Sequence, residues 1–375
     1  MVALVLDSFE VTGLRTLAGA LMAIAIAMTT SCSRAPSVEF ADPRLAAAVR
    51  EALGGCEAPL RGDDLLRLTE LEAVGRDIVR LDGLERCGNL IHLDLGENHV
   101  SDLTPLADLA RLETLVLRSN QVMDAAPLAE LTNLRALDLD FNFLTDAGPL
   151  ARLTELRWLG LWNSGIEDVS PLAGLTKLTE LGLSGNPIED FSPLAGLREL
   201  VWLGLPNTGI EDLVVLAGLT NLVKLSLGGN RIVDLSPLAG LTQLEGLGLD
   251  SNRIADVSPL AGLVELRRLS LWGNAIVDLS PLAGLTRLEE LWLDRNPIER
   301  IDVLANMTEL RILGLSATLV SDLAPLIANP GLGMGDEVDL AGVALDRTDG
   351  STAARAVEEL VGRGVTVRGV PPALR

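Results

Sequence analysis

Ten aspartates recur along the chain 22 residues apart or a multiple of it: Asp102, Asp124, Asp146, Asp168, Asp190, Asp212, Asp234, Asp256, Asp278 and Asp322. Arg300 stands where an eleventh would fall. A row of carboxylates at constant spacing invites the idea of calcium. Calcium needs several oxygens converging from different directions, and a single column offers an ion only one neighbour on either side. The structural alternative is favoured: each aspartate accepts from backbone N–H groups of the turn that follows it.

The other candidates for chemistry are sparse. His92 and His99 are the two histidines, and no ordered set of nucleophile, base and acid accompanies them. The three cysteines, Cys32, Cys56 and Cys87, are too few for a metal cage. No glycine-rich loop follows a strand and opens a helix, so no phosphate cradle is expected. These residues point to a protein with no enzyme activity, no cofactor and no bound metal. The formal net charge is −22, from 52 acidic and 30 basic residues, and there is no basic stripe to meet a nucleic-acid backbone.

The elements that must position these residues are repeats. From Asn89 the segment NLIHLDLGENHVSDLTPLADLA returns every 22 residues, with starts at 89, 111, 133, 155, 177, 199, 221, 243, 265, 287 and 309. A degenerate unit at 67–88 precedes them in register, with Leu68, Leu71, Ile78, Leu81 and Leu84 in place. Positions 5 and 7 read Leu-x-Leu, as in Leu93/Leu95 and Leu247/Leu249, which sends two side chains inward and makes one short parallel strand per repeat. Position 10 is Asn in eight of the eleven repeats and Ser164, Thr208 or Thr318 in the others. A buried amide there satisfies backbone groups of its own turn and of the next coil, giving a hydrogen-bonded ladder. Positions 16–18 usually read Ser-Pro-Leu, where Ser is expected to cap a short helical turn that Pro opens. Hydrophobic residues make up 48% but aromatics only 3%, so leucine must fill the core.

This pattern resembles the 22-residue leucine-rich repeats of bacterial internalins and of related phosphatase-regulating proteins, over roughly residues 40–370. The resemblance implies an α/β repeat solenoid, a right-handed horseshoe with a parallel concave sheet, 3-10 turns on the convex face, a helical N-cap and a strand and helix C-cap. The N-cap is read at Asp42–Gly54, where Pro43 opens a helix with Leu45, Val49 and Leu53 on one face. A second short helix is expected after Asp63-Asp64. At the other end a loop and strand in NPGLGMGDEVDL, a helix after Ser351 and a strand Val365–Val367 would cover the open edge.

At the N-terminus, Leu17–Met28 is an apolar run after Arg15, too short to span a membrane and suited to the core of a signal peptide. Asp7 and Glu10 are acidic where such a segment should be basic, so translation is expected to start downstream, at Val11 or Leu14. The following Thr29-Thr30-Ser31-Cys32 resembles a bacterial lipobox, which implies lipidation of Cys32; the alternative is a cleaved signal without lipid. The expected organisation is a signal peptide at 1–31, a tether at 32–40, an N-terminal cap with the degenerate repeat at 41–88, eleven repeats at 89–330 and a C-terminal cap at 331–375. Outside the cytoplasm Cys56 and Cys87 form an even pair, and either a disulfide or a free core thiol fits them.

Strand alternation makes positions 4, 6 and 8 the outward, concave columns. All five tryptophans fall there: Trp158 and Trp202 at 4, Trp292 at 6, Trp162 and Trp272 at 8. Core packing would have put them in the Leu columns. Gly160, Gly182, Gly204 and Gly248 lie between them and suggest a flat platform beside large rings. Trp158, Trp162 and Trp202, with Gly182 between, are expected to frame one shallow pocket, and Trp272 and Trp292 a second cluster. Exposed aromatics of this kind serve as binding anchors; the alternative is that they stack on one another across strands. Asp138, Asp140, Glu180, Lys224, Arg268 and Asp294 complete the candidate surface. The expectation is therefore an exported, membrane-anchored monomer, periplasmic or on the cell surface, that binds a protein partner on its concave face. A glycan-binding surface protein, or an intracellular regulator like the phosphatase-regulating proteins, are the alternatives.

Overall fold

The protein is described by a computed structural model covering residues 37–55, 59–346, 348 and 350–370. The signal segment, Cys32 and Cys56 lie outside the described residues. The chain divides into two compact units: the described residues up to Leu144 with Arg152–Gly160, and Thr145–Ala151 with Leu161 onward.

In the first unit, helix α1 (Pro43–Ala52) buries Leu45, Ala46, Ala48 and Val49. Its cap is Asp42, whose Oδ1 accepts from the Arg44 N–H at 2.8 Å. The Asp42 Oδ2 accepts from the Val79 N–H at 2.8 Å, tying the cap to the degenerate repeat. Helix α2 spans Gly62–Leu65 and so contains Asp63 and Asp64 rather than following them. Five strands run in parallel: β1 (Glu70–Glu72), β2 (His92–Asp94), β3 (Thr114–Val116), β4 (Ala136–Asp138) and β5 (Trp158–Gly160). Each residue pairs with the residue 22 positions on, Leu93 with Leu115 and Leu115 with Leu137, so the sequence repeat is the strand register.

The second unit repeats the scheme in β6 (Glu180–Gly182), β7 (Trp202–Gly204), β8 (Lys224–Ser226), β9 (Gly246–Gly248), β10 (Arg268–Ser270), β11 (Glu290–Trp292) and β12 (Ile312–Gly314). The short helix α3 (Ala324–Ala328) replaces the 3-10 turn of the last repeat. The C-terminal cap adds β13 (Glu337–Asp339), helix α4 (Thr352–Gly362) and β14 (Thr366–Arg368), one residue beyond the expected strand. Ser351 caps α4, its Oγ accepting from the Ala354 N–H at 3.1 Å. Both units are leucine-rich-repeat solenoid coils.

The core is the column of leucines, nearly all fully buried. Within it the asparagines form the expected ladder, while Thr208 and Thr318 donate only to their own turns, to the Leu205 and Leu315 carbonyls. Asn120 donates to the carbonyls of Leu95 and Leu117 and accepts from the Val100 N–H, all within 3.0 Å. Asn252 does the same in the second unit, and Asn230 donates alike to the Leu205 and Leu227 carbonyls while accepting from the Thr208 and Gly209 N–H groups. The ladder reaches back to the preceding coil, because the carbonyls left open by the strand's end lie on that side.

The aspartate column is the turn cap the sequence suggested. Every one of the ten accepts from the N–H two residues on, at 2.7–2.9 Å. The Ser of Ser-Pro-Leu is not the cap. It is the first residue of the 3-10 turn, as in Ser170–Gly174, and its hydroxyl donates to the capping aspartate, Ser170 to Asp168 at 2.9 Å. The carboxylate takes the cap because it can accept the turn's N–H and the serine hydroxyl together.

Candidate functional site: the outward face of the strands

The outward columns are built on glycine sockets. In the first unit, Trp158 points to the outward face while its neighbour Leu159 points into the core. Its ring does not stand up. A Cβ placed on Gly160 would fall 2.6 Å from Trp158 Cη2 and 2.7 Å from an Asp140 carboxylate oxygen, so ring and carboxylate fill the space above that glycine. Trp158 is only 6% exposed, which corrects the expectation of a projecting ring. Its indole N–H is buried with no hydrogen-bond partner.

Beside it are two buried acids. Asp138 is 5% and Asp140 9% exposed, so these two members of the candidate surface are buried. Asp138 accepts from the Asp140 N–H at 3.0 Å. Burial pushes its pKa up to about 6; that hydrogen bond and the Arg118 charge pull the other way, and Asp94 adds to the rise. Asp94, on β2, is raised by burial too, against the Gly96 N–H it accepts at 2.9 Å.

In the second unit, Trp202 repeats the Trp158 arrangement. It is 7% exposed, and its Cη2 lies 2.9 Å from where a Gly204 Cβ would be. Trp162 is half-buried and reaches sideways instead: a Cβ on Gly182 would meet its Nε1 at 2.0 Å. Gly182 is therefore covered by a ring and is not the open floor of a pocket. The Trp162 and Trp202 rings have centroids 6.1 Å apart, tilted by 34°, within the range of favourable aromatic pairs. Trp158 belongs to the first unit and these two to the second.

Trp272, two residues past the end of β10, and Trp292 on β11 are both half-buried, and Ser270 of β10 pairs in register with Trp292. The Arg295 guanidinium lies 6.0 Å from the Trp272 ring centroid, a cation–π contact. The Trp272 indole N–H and the fully buried Ser270 hydroxyl have no partner. Arg268 is paired with Glu290 at 3.2 Å. Lys224 and Glu180 are half-buried strand residues. Asp294 lies over Gly314 and accepts from the Ser316 N–H at 2.9 Å; burial raises its pKa. Asp250, which the sequence reading passed over, lies over Gly228 of the preceding repeat, and its pKa is also raised by burial. The signal that could have found it is a position 8 acid one repeat from a glycine in the same column.

Cys87 is fully buried with a free thiol, its pKa pushed up to about 12 by burial and then by the Glu85 charge. His99 lies 3.5 Å from Asp77 on an exposed surface. Among the described residues no cluster of three or more His, Cys, Asp or Glu could hold a metal ion. No helix among them is long and apolar enough to cross a membrane.

A family model described as leucine-rich repeats in two copies matches residues 154–196, 220–262, 242–284 and 264–306. Among solved structures, an internalin (inlF) from Listeria monocytogenes is 32% identical; the match covers 80% of this chain and 96% of that one, with a TM-score of 0.72. A leucine-rich-repeat protein of Leptospira interrogans is 20% identical over 78% of this chain and 81% of its own, with a TM-score of 0.66. The ectodomain of a plant receptor kinase from Arabidopsis thaliana, solved in complex with Casparian strip integrity factor 2, is 21% identical over 76% of this chain and 42% of its own, with a TM-score of 0.62. The last two likenesses concern the fold. A comparison with curated protein sequences finds no match.

Proposed function

The chain belongs to the internalin-like leucine-rich-repeat proteins, and on that premise we propose that it is an exported, lipid-anchored binding protein whose outward strand face recognises a protein partner. A leucine-rich-repeat scaffold offers a long parallel face for protein interaction. The observation that carries the reading is Trp162: a large ring at an outward position, half-buried at the surface and backed by the Trp202 ring. Tryptophan on an accessible face is the residue most enriched among binding anchors. Trp272, stacked under Arg295, and Trp292 form the second anchor of the same unit. The reading includes no catalytic step.

Anchoring rests on Thr30-Ser31-Cys32 after the apolar run. Cys32→Ala should free the protein from the membrane fraction or leave it unprocessed; wild-type fractionation and migration in that variant would remove the lipid. The face is tested by crosslinked pull-down from the producing organism and its surroundings, wild type beside a Trp162→Ala, Trp292→Ala double variant. A protein recovered by the wild type and lost by the variant supports the reading. Equal recovery, or binding confined to immobilised glycans, overturns it.

A further inference from the structure

Phe141 and Phe143 stand apart from every other aromatic residue with a described side chain. They are 50% and 60% exposed, while every tryptophan is buried or half-buried. Both lie in the first unit, on the loop that leaves β4. The residue between them, Asn142, is 3% exposed and turned inward, donating to the Leu117, Leu139 and Asp140 carbonyls and accepting from the Val122 N–H. Because that residue is fastened inside, its two neighbours are held outward. The Phe143 N–H donates to the Val122 carbonyl at 2.9 Å, which sets Phe143 next to Met123, itself 70% exposed.

The backbone makes the placement costly. Phe141 has φ +55°, in the left-handed region. The same position carries Glu97 and Ser119 in the unit's other full repeats, at φ +58° and +54°. A bulky aromatic is out of place in that conformation, where glycine and asparagine are tolerated. A ring that strains the backbone and still leaves half of its surface in water is poorly accounted for by stability alone. A contact from outside the chain accounts for both.

We infer that Phe141, Phe143 and Met123 form a second docking ridge, in the first unit, for a polypeptide segment that combines apolar and basic side chains. The apolar part is set by the three side chains. The basic part is set by charge: Asp124 directly follows Met123, Asp102 holds the same position one repeat earlier, and both are exposed and form no salt bridge among the described residues. Glu97 shares Arg118, at 3.3 Å, and Asp77 faces His99, at 3.5 Å, so the flank keeps a negative balance. The net charge of −22 steers a basic partner in and an anionic membrane away.

The test uses two synthetic peptides, Lys-Leu-Leu-Lys-Leu-Lys-Leu-Leu-Lys and the same peptide with Glu for Lys, titrated into the full chain. Wild type should bind the lysine peptide at least tenfold more tightly than the glutamate peptide. It should also bind it at least tenfold more tightly than a Phe141→Asn, Phe143→Ser variant does. That variant should melt about 2–4 °C higher than wild type, because asparagine relieves the left-handed position. Equal binding of the lysine peptide to both proteins would mean general charge attraction and overturn the ridge. So would sedimentation showing a wild-type dimer that the variant loses, or binding of wild type to neutral phosphatidylcholine vesicles that the variant lacks. A variant that melts lower would overturn the argument from backbone cost.

Discussion

Trp202 and Trp162 show two ways of seating the same residue on the same face. Trp202, at position 4, lies along its own strand over Gly204 and is 7% exposed. Trp162, at position 8, crosses to the neighbouring strand, over Gly182, and stays half-exposed. In the first unit Trp158 follows Trp202, ring over Gly160 and 6% exposed. A ring laid along its own strand seals the surface beneath it; a ring reaching across leaves an edge for something else. The position 4 tryptophans are thus mainly packing, and the position 8 and position 6 tryptophans are the better anchors. That differs from the expected grouping, in which Trp158 and Trp202 stood with Trp162 as anchors and Trp272 and Trp292 formed a second cluster.

The comparison is bounded by the core on which both rows rest. Leu249→Ala should cost roughly 2–5 kcal/mol of stability, measured by urea unfolding, because it empties a fully buried site. A near-neutral result would mean that the strand faces are assigned the wrong way round and that both rows of rings point inward.

Trp202→Ala should come next, costing about 2 kcal/mol, since a nearly buried ring is removed from a socket closed on one side only. Trp162→Ala should cost less than about 1 kcal/mol. Binding of whatever partner the pull-down recovers should reverse the order, at least tenfold weaker for Trp162→Ala. Equal stability losses for the two would erase the distinction.

Asp138 sharpens the contrast from the side of charge. Its folded pKa is about 6, against an ordinary 3.8. An acid raised in the folded state leaves stability undiminished below pH 3.8, lowers it as pH rises to about 6, and keeps it lowered above. Asp138→Asn keeps an acceptor for the Asp140 N–H and removes the charge. It should be about 1–2 kcal/mol more stable than wild type at pH 7.5, with the advantage gone at pH 4. A variant less stable at pH 7.5 would show that the carboxylate is compensated.

The smallest effect concerns the sockets. Gly182→Ala places a methyl where the Trp162 Nε1 lies, and the ring must lift. Stability should change by less than about 1 kcal/mol, with a red shift in tryptophan emission. An unchanged spectrum would mean the ring never sat there.

Most of the fold was legible because a repeat reports itself. Leu93, Leu115 and Leu137 recur 22 residues apart and pair in that register, and Asp42, Pro43 and Ser351 mark helix starts by local chemistry. The cap at Ser170 was misread because Ser and Asp compete for the same N–H, and only the bonded geometry shows that Asp168 takes it. On the outward face the sequence identified the right columns and the wrong exposures.

What the sequence determined by itself is therefore the part governed by alternation and spacing: which side chains face the core, which face outward, and where the coils begin and end. Where each outward ring comes to rest was decided only by the tertiary structure. Trp202 and Trp162 carry the same side chain on the same face, and the free volume each can enter depends on which glycine, Gly204 or Gly182, lies within reach. The pKa of Asp138 has the same origin, since desolvation depends on what neighbouring strands place around a carboxylate rather than on what precedes it in the chain.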